Sequence, residues 1–275
     1  MTAHVVSNET IAATSSKGNQ EKWYDSGTDR WFKLDQFGYE ALVETLISHL
    51  LVKSNIESDT PFTFVRYDME RFDVRGRTRT GCASNNFLLP GQSLITVDRL
   101  LTSHLGVPLR EKLLRLTSDK KRIVYMAQAM AEFTGLEGFP HYLTLLFEVD
   151  SMFCNDDRHL NNIAVIEQAG EYSYCPIFDN GAGLLSNTHV SRMDAEPKAL
   201  IAMLRARPFN TSFTRQMNAA RSVFGKQLKM PRLSTGEIRD SLEPLLDCYA
   251  MRDRGIIADR VVDCILARQA VFTKS

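Results

Sequence analysis

Two short polar runs hold the residue types that could do chemistry. The first, Asn155-Asp156-Asp157-Arg158-His159-Leu160-Asn161-Asn162, directly follows an apolar segment and directly precedes an alternating one. The second, Asp179-Asn180-Gly181, ends the next apolar run. A carboxylate with an Asn five positions later, followed by a strand-ended Asp before Gly, is the layout with which phosphoryl transferases hold Mg²⁺ and ATP. That chemistry needs oxygen ligands for Mg²⁺, a carboxylate near the acceptor hydroxyl, and cations on the phosphates. Within the first run Asp157 with Asn162 and Asp156 with Asn161 share the same offset, and spacing does not choose between them. Asp and Asn also favour plain turns, but Asp157, Arg158, His159 and Asn162 together are more specialised than a turn requires.

The elements that must position these runs follow from pattern. Trp23, Tyr24, Trp31, Phe32 and Leu34 flank an Asp-Ser-Gly-Thr turn, which predicts a β-hairpin with Lys33 in its second strand. From Tyr39 to Lys53, apolar residues at three- and four-residue spacing predict a helix with Glu40 and Glu44 on one flank. A lysine strand followed by a glutamate helix is the order that protein kinases use to hold the ATP phosphates. Phe62–Tyr67 alternates and reads as another strand. Residues 68–93, rich in Arg, Gly, Asn and Thr, read as an irregular connection and hinge, with the basic Arg71–Arg79 cluster a solvated loop.

From about Thr96 the pattern is helical. One helix is capped by Ser118 and stopped by Gly135, and the next is opened by Pro140 and leads straight into Asn155. Ile163–Glu167 and Tyr172–Phe178 predict a second hairpin. Beyond Leu185 the chain is helical again, with a capping box at Ser234 and Glu237. The expected architecture is α+β and two-lobed, with a β-rich N-lobe over residues 1–93 and a mainly helical C-lobe over 94–275.

Lys plus Arg and Asp plus Glu are both 33 in 275 residues, a balance that argues against a general nucleic-acid or membrane-surface binder. Five cysteines without metal spacing argue against a disulfide framework or a zinc site and fit a reducing compartment. Cys154 reads as a buried spectator. The first residues lack the basic start and apolar core of a signal peptide, and no apolar run is long enough to span a membrane. These features point to the cytoplasm, with secretion as an effector without such a signal left open.

Asp-Arg-His-Leu-Asn-Asn followed by Ile-Phe-Asp-Asn-Gly is similar to the HipA-like serine/threonine kinases and, more distantly, to the phosphoinositide kinases. The family pattern Asp-x-His-x-x-Asn puts the register on Asp157, His159 and Asn162. The resemblance implies Asp157 as the catalytic carboxylate, with Asn162 and Asp179 as metal ligands. Ser15–Lys22 resembles the HipA phosphate-binding loop, with a Gly-x-Gln-x-Lys match on Gly18, Gln20 and Lys22. Lys33 then corresponds to the ATP lysine, and Glu40, ahead of Glu44, to the helix glutamate.

Arg158 is expected to pair with a carboxylate of the lobe or with a phosphate, and His159 to be a buried structural hydrogen-bonding residue. The resemblance further implies ATP and Mg²⁺ as cofactors, a Ser/Thr protein substrate, and autophosphorylation at Ser15 or Ser16. It also raises an antitoxin or regulator as a partner. The chain departs from the longer HipA proteins in having no room for their extra N-terminal subdomain, so it reads as a kinase-core-only member whose antitoxin surface is in doubt. A lipid or small-molecule kinase, or a nucleotide-binding pseudokinase, are the alternatives.

Overall fold

The computed structural model describes residues 4–6 and 20–272. Its first sheet is built around the expected hairpin, β2 (Lys22–Asp25) and β3 (Arg30–Leu34), in antiparallel register with Trp23 opposite Phe32 and Lys22 opposite Lys33. The turn is locked by Asp25, whose carboxylate accepts from the Gly27 N–H at 3.0 Å and from the Thr28 hydroxyl at 2.7 Å. Because side chains alternate across a strand, Trp23, Phe32 and Leu34 go to a buried face. There Trp23 stacks on Phe32 at 5.3 Å and meets Phe72 edge-on at 5.1 Å. The same alternation sends Lys22 and Lys33 together to the opposite face.

Residues read as connection form the two longest strands of this sheet, β4 (Asp68–Val74) and β5 (Arg77–Asn85). With β1 (His4–Val6), the sheet order is β1-β4-β5-β3-β2, and only the β1–β4 pair is parallel. The reason for the misreading is visible. Arg71, Thr78, Arg79 and Thr80 lie on half-solvated strands, and Arg75-Gly76, at φ 58° and 70°, forms the left-handed two-residue turn that hairpins favour. The basic cluster is therefore not a loop. The Arg71 guanidinium donates to the Asp247 carbonyl, and Arg79 pairs with Glu21 and donates to the Asp35 carbonyl at 2.7 Å.

Phe62–Tyr67 is not a sheet strand either. Phe62, Phe64, Val65 and Tyr67 are buried, but the segment makes only an isolated bridge to Ile177, with the Val65 N–H on its carbonyl at 2.9 Å. Its alternation reported burial, not a ladder.

Between the strands, α1 (Glu40–Leu51) buries every residue except His49 and packs under the sheet, and α2 (Ile56–Asp59) is a single turn. After Asn86–Gln92 a second sheet of order β6-β7-β8 gathers Ser93–Thr96, Ala164–Gln168 and Glu171–Tyr174. The helices that follow β6 are α3 (Val97–Leu105), α4 (Leu109–Leu114), α5 (Asp119–Thr134) and α6 (Phe139–Phe153). As expected, Ser118 caps α5 and Gly135, at φ 71°, ends it. Apolar on nearly all sides, α6 is the central post, packed by α5, α8 (Phe213–Phe224) and α10 (Met251–Phe272).

Helices α7 (Pro197–Met203) and α9 (Thr235–Leu246) complete the set, and α9 begins with the Ser234/Glu237 capping box. Residues 186–196 carry no helix, so the helical reading beyond Leu185 starts too early. All five cysteines are buried and unpaired. Among the described residues no helix is long and apolar enough to cross a membrane.

Candidate active site

The polar knot is held in place from beneath. Arg158 is fully buried, and its guanidinium donates to the Asp150 carboxylate of α6 at 3.0–3.2 Å, to the carbonyls of Phe178 (2.6 Å) and Asn162 (3.2 Å), and to Asn180 Oδ1 (2.7 Å). The Asn155 side-chain amide also donates to Asp150 Oδ1 at 2.9 Å. One side chain thereby ties the end of α6 to the Asp157–Asn162 loop and to the Asp-Asn-Gly loop. Of the two partners left open for Arg158, the structure selects a carboxylate of its own lobe. Burial pushes the Asp150 carboxyl up, against the pull of Arg158.

The Asp-Asn-Gly loop is held from above by α1. Glu44, fully buried, pairs through Oε1 with the Lys33 ammonium and accepts through Oε2 from the Asn180 N–H at 2.9 Å. Lys33 Nζ also donates to Asp179 Oδ1 at 2.8 Å. Asp179 sits in the left-handed region at φ 61°, a conformation that Asp tolerates better than most residues. At Gly181 a Cβ would stand 3.2 Å from Glu44 Cγ and 3.3 Å from the Glu40 carbonyl, so the closeness of α1 accounts for the glycine. The Tyr39 hydroxyl extends the clamp by donating to the Leu184 carbonyl at 2.8 Å.

The glutamate assignment needs correction. Glu40 does not reach Lys33; its carboxylate accepts from the backbone N–H groups of Gln36, Phe37 and Gly38 at 2.8–3.3 Å, closing the loop ahead of α1. Glu44, one turn on, is the lysine partner. Both glutamates share a helix flank, and only the depth of the helix against β3 separates them.

Burial raises the cost of charge on Asp179, but Lys33 and Lys22, the hydrogen bond from Lys33, and Arg158 outweigh it and hold the carboxyl well below the usual range. Lys33 is held above its ordinary value, Asp179 and Glu44 outweighing the burial that would lower it. Lys22 is lowered by burial and by Lys33, against the pull of Asp179. The result is an ionised carboxylate between two cations.

Asp157 is raised by burial, while His159 and Arg207 pull it down. Arg207 Nε lies 3.5 Å from Asp157 Oδ1. Burial and the neighbouring Asp157 push Asp156 up to about 6. His159 departs from expectation. Its side chain is 39% exposed, Nε2 stands 3.9 Å from Asp157 Oδ2, and Nδ1 has no hydrogen-bond partner. The buried structural role in this loop falls to Arg158 instead.

These groups converge on one cleft of about 710 Å³ between the two lobes, lined by Lys22, Lys33, Asp157, Asn162 and Asp179. Gln20 lines it as well, with its amide donating to the Leu34 carbonyl at 2.8 Å. An apolar part of the same cleft is made by Trp31, Phe87, Leu88 and Phe178. Asp156 does not line this cleft. Gly18, Ser15 and Ser16 lie outside the described residues.

Sequence reasoning missed several contributors. Asp150 was an acid in an otherwise apolar helical run, a signal that it needed a buried partner. Phe87 and Leu88 were hidden in the supposed connection, and Arg207 had no local signal at all.

In shape the chain is similar to a Helicobacter pylori proinflammatory kinase, CtkA, with a TM-score of 0.61 and 12% identity over 93% of this chain and 89% of that one. It is also similar to a chain of the Shewanella oneidensis MR-1 toxin–antitoxin complex of HipA, HipB and operator DNA. There the TM-score is 0.49 at 12% identity, over 93% of this chain and 64% of that one. No protein-family model and no curated protein matches the sequence. The likeness to CtkA establishes the α+β, two-lobed, protein-kinase-like fold.

Proposed function

We propose that the chain is an ATP- and Mg²⁺-dependent kinase of the HipA-like type, transferring the γ-phosphoryl group to Ser or Thr of a protein, with its lobes divided near residue 93. The observation that carries the reading is the bridge Glu44–Lys33–Asp179, set in one cleft with Asp157 and Asn162. A lysine–glutamate ion pair beside a metal-type Asp is the arrangement that protein kinases need in place for transfer.

The donor set fits the group. Asp179, kept ionised, and the Asn162 amide oxygen are hard oxygen donors that would hold Mg²⁺, which keeps part of its shell for phosphate and water. When bound, the ion would neutralise charge that develops on the phosphates. Lys33 and Lys22 offer cations to the phosphate oxygens, and Trp31, Phe87, Leu88 and Phe178 offer apolar faces to a purine ring. Asp157 accepts the hydrogen bond of the acceptor hydroxyl and takes its proton as the oxygen–phosphorus bond forms and the bond to ADP breaks. Arg158 holds both loops at their working separation. Ser15 or Ser16 is the proposed self-acceptor, where a phosphate would place roughly two negative charges beside the phosphate loop.

The test is transfer from radiolabelled Mg-ATP to the protein itself and to a mixed protein acceptor, with wild type and Asp157→Asn in parallel. Label in the wild type, on Ser or Thr, and its near-complete loss in the variant are expected. Full activity of the variant would overturn the assignment, and label confined to a lipid acceptor would redirect it to lipid phosphorylation.

A further inference from the structure

A second cavity, about 1030 Å³, meets the nucleotide cleft at Asp157, His159 and Asn161 but touches none of Lys22, Lys33 or Asp179. Asp157 is one of five described residues that line both spaces, with His159, Asn161, Ala182 and Asn187, so a hydroxyl entering from the second reaches the base without crossing the phosphate site. The space lies at the upper end of the roughly 300–1,000 Å³ of ordinary small-molecule pockets. Two of its lining residues, Leu114 at 67% and Val190 at 68% exposure, are large apolar side chains left in solvent. Contiguous exposed apolar patches with a polar rim mark protein, membrane or ligand-binding surfaces.

The charges on its walls are unequally committed. Arg122 is engaged, with Asp119 at 3.1 Å and the Leu113 carbonyl at 3.1 Å. Asp98 lies in the first turn of α3, where the helix dipole offsets its charge. Arg110, exposed on α4, has no hydrogen-bond or ion-pair partner among the described residues. Arg205 donates only to the backbone carbonyls of Ala202, Met203 and Leu204 at 2.9–3.2 Å, with no carboxylate partner among the described residues. Arg207 faces Asp157 with its side chain 64% exposed, while its backbone N–H is held by the Asp156 carbonyl at 3.1 Å. The segment that carries both is itself anchored: the Gln216 amide bonds the Ala206 carbonyl at 2.5 Å, and the Thr211 hydroxyl bonds Asp119 at 2.9 Å. Two guanidinium groups without a carboxylate therefore face the approach to Asp157.

We propose that this cavity is the acceptor channel and that it selects a protein segment whose acceptor Ser or Thr is flanked by carboxylate side chains, with Arg110 and Arg205 as its specificity-determining cations. The proposal rests on Asp157 acting as the base of a kinase. It adds the chemistry of the acceptor, against walls that also carry Asp98 and Asp156.

The experiment compares single-serine peptides with Glu/Asp flanks or with Lys/Arg flanks as acceptors for radiolabelled Mg-ATP, reading the ratio of their kcat/KM. Each partly exposed charge is expected to contribute about two- to fivefold, so wild type should favour acidic flanks by roughly tenfold and lose part of that preference at high salt. Arg110→Glu with Arg205→Glu should invert the ratio, and Arg110→Gln with Arg205→Gln should flatten it. Should the reversed variant fail to fold, the Gln pair and the salt dependence of wild type decide.

Equal use of both peptide series, or a ratio that neither pair of variants moves, overturns the proposal and leaves the kinase reading intact. So does transfer confined to the protein itself, whereas transfer confined to phospholipid vesicles or to small alcohols overturns the proposal together with the protein-acceptor part of the kinase reading. Absence of Mg-ATP binding in a thermal-shift titration, with no transfer to any acceptor, would instead sink the kinase reading and this proposal with it.

Discussion

Replacing Arg158 with Met is the sharpest test of how the site is built. The substitution keeps the unbranched stem of the side chain, ends short of the guanidinium fork, and removes every one of its hydrogen bonds to Asp150, Asn162, Phe178 and Asn180. Hydrogen bonds to a charged group are worth about 1.5–3 kcal/mol each, but bonds that share one group are not additive, so their sum is an overestimate. The deciding cost is the Asp150 carboxylate, left buried without its counter-charge, which costs about 3–5 kcal/mol. Protonation of Asp150 limits that cost, at about 1.36 kcal/mol per pKa unit.

The expected loss in urea unfolding is therefore about 3–5 kcal/mol, or roughly 6–20 °C in Tm at ~2–4 °C per kcal/mol for a chain of this size class. Without Arg158, only the hydrogen bond from the Asn155 amide opposes the burial that already raises Asp150. A carboxyl whose folded pKa lies above its unfolded value near ~3.9 contributes stability below that value and loses it as pH rises through the folded pKa. The deficit of the variant should thus deepen from about pH 4 upward. Adding Asp150→Leu should recover much of the stability, since replacing a buried pair by apolar groups is often neutral. A loss under about 1 kcal/mol, or one that does not vary with pH, would refute the account of Arg158 as the tie between the loops.

Four further outcomes follow from the geometry. Glu44→Gln should cut transfer strongly by releasing Lys33 and the Asn180 N–H, whereas Glu40→Gln should mainly cost about 1–3 kcal/mol of stability through its backbone N–H partners; equal effects on kcat would contradict the pairing. Asp157→Asn should lower turnover by roughly 10²–10⁴-fold with nucleotide binding retained, and Asp179→Ala should abolish the Mg²⁺-dependent part of nucleotide binding, as read by thermal shift with and without EDTA. Arg207→Gln should raise the pKa of Asp157, because Arg207 pulls it down, so the acid limb of the kcat/KM profile should move to higher pH; an unmoved limb would deny Arg207 any hold on the base.

Asp35, pushed up to about 8 by burial against its hydrogen bonds from Tyr249 and Ala41, is raised above its unfolded value. Its contribution to stability should be fully present below about pH 4 and be lost as pH rises towards 8. Asp35→Asn should therefore flatten the pH dependence of unfolding across that window.

The sequence by itself determined the pieces with local causes. The hairpin of Trp23 to Leu34 follows from alternation around an Asp-Ser-Gly-Thr turn, and α5 follows from a Ser118 cap and a Gly135 stop. The knot at Asp157–Asn162 and the Asp179 loop were legible because their residue types are rare together, although the register between Asp156 and Asp157 needed a family pattern. Strands β4 and β5 were not legible, since antiparallel strands with one solvated face carry Arg and Thr that read as loop.

What only the tertiary structure decided is which charge meets which. Glu40 and Glu44 stand on the same helix flank, and Lys33 takes Glu44 because that carboxylate is fully buried against β3 and the Asn180 N–H. Arg158 and His159 are neighbours in the chain, yet one is sealed against Asp150 and the other half-exposed, because burial depends on the chain folding over α6. Arg110, Arg205 and Arg207 come from distant segments, and their convergence on the approach to Asp157 exists only once α4 and the segment after α7 pack beside the knot. Local propensity acts over a few residues, whereas a buried ion pair requires a carboxylate and a cation to lose their water together, and that condition is set by packing.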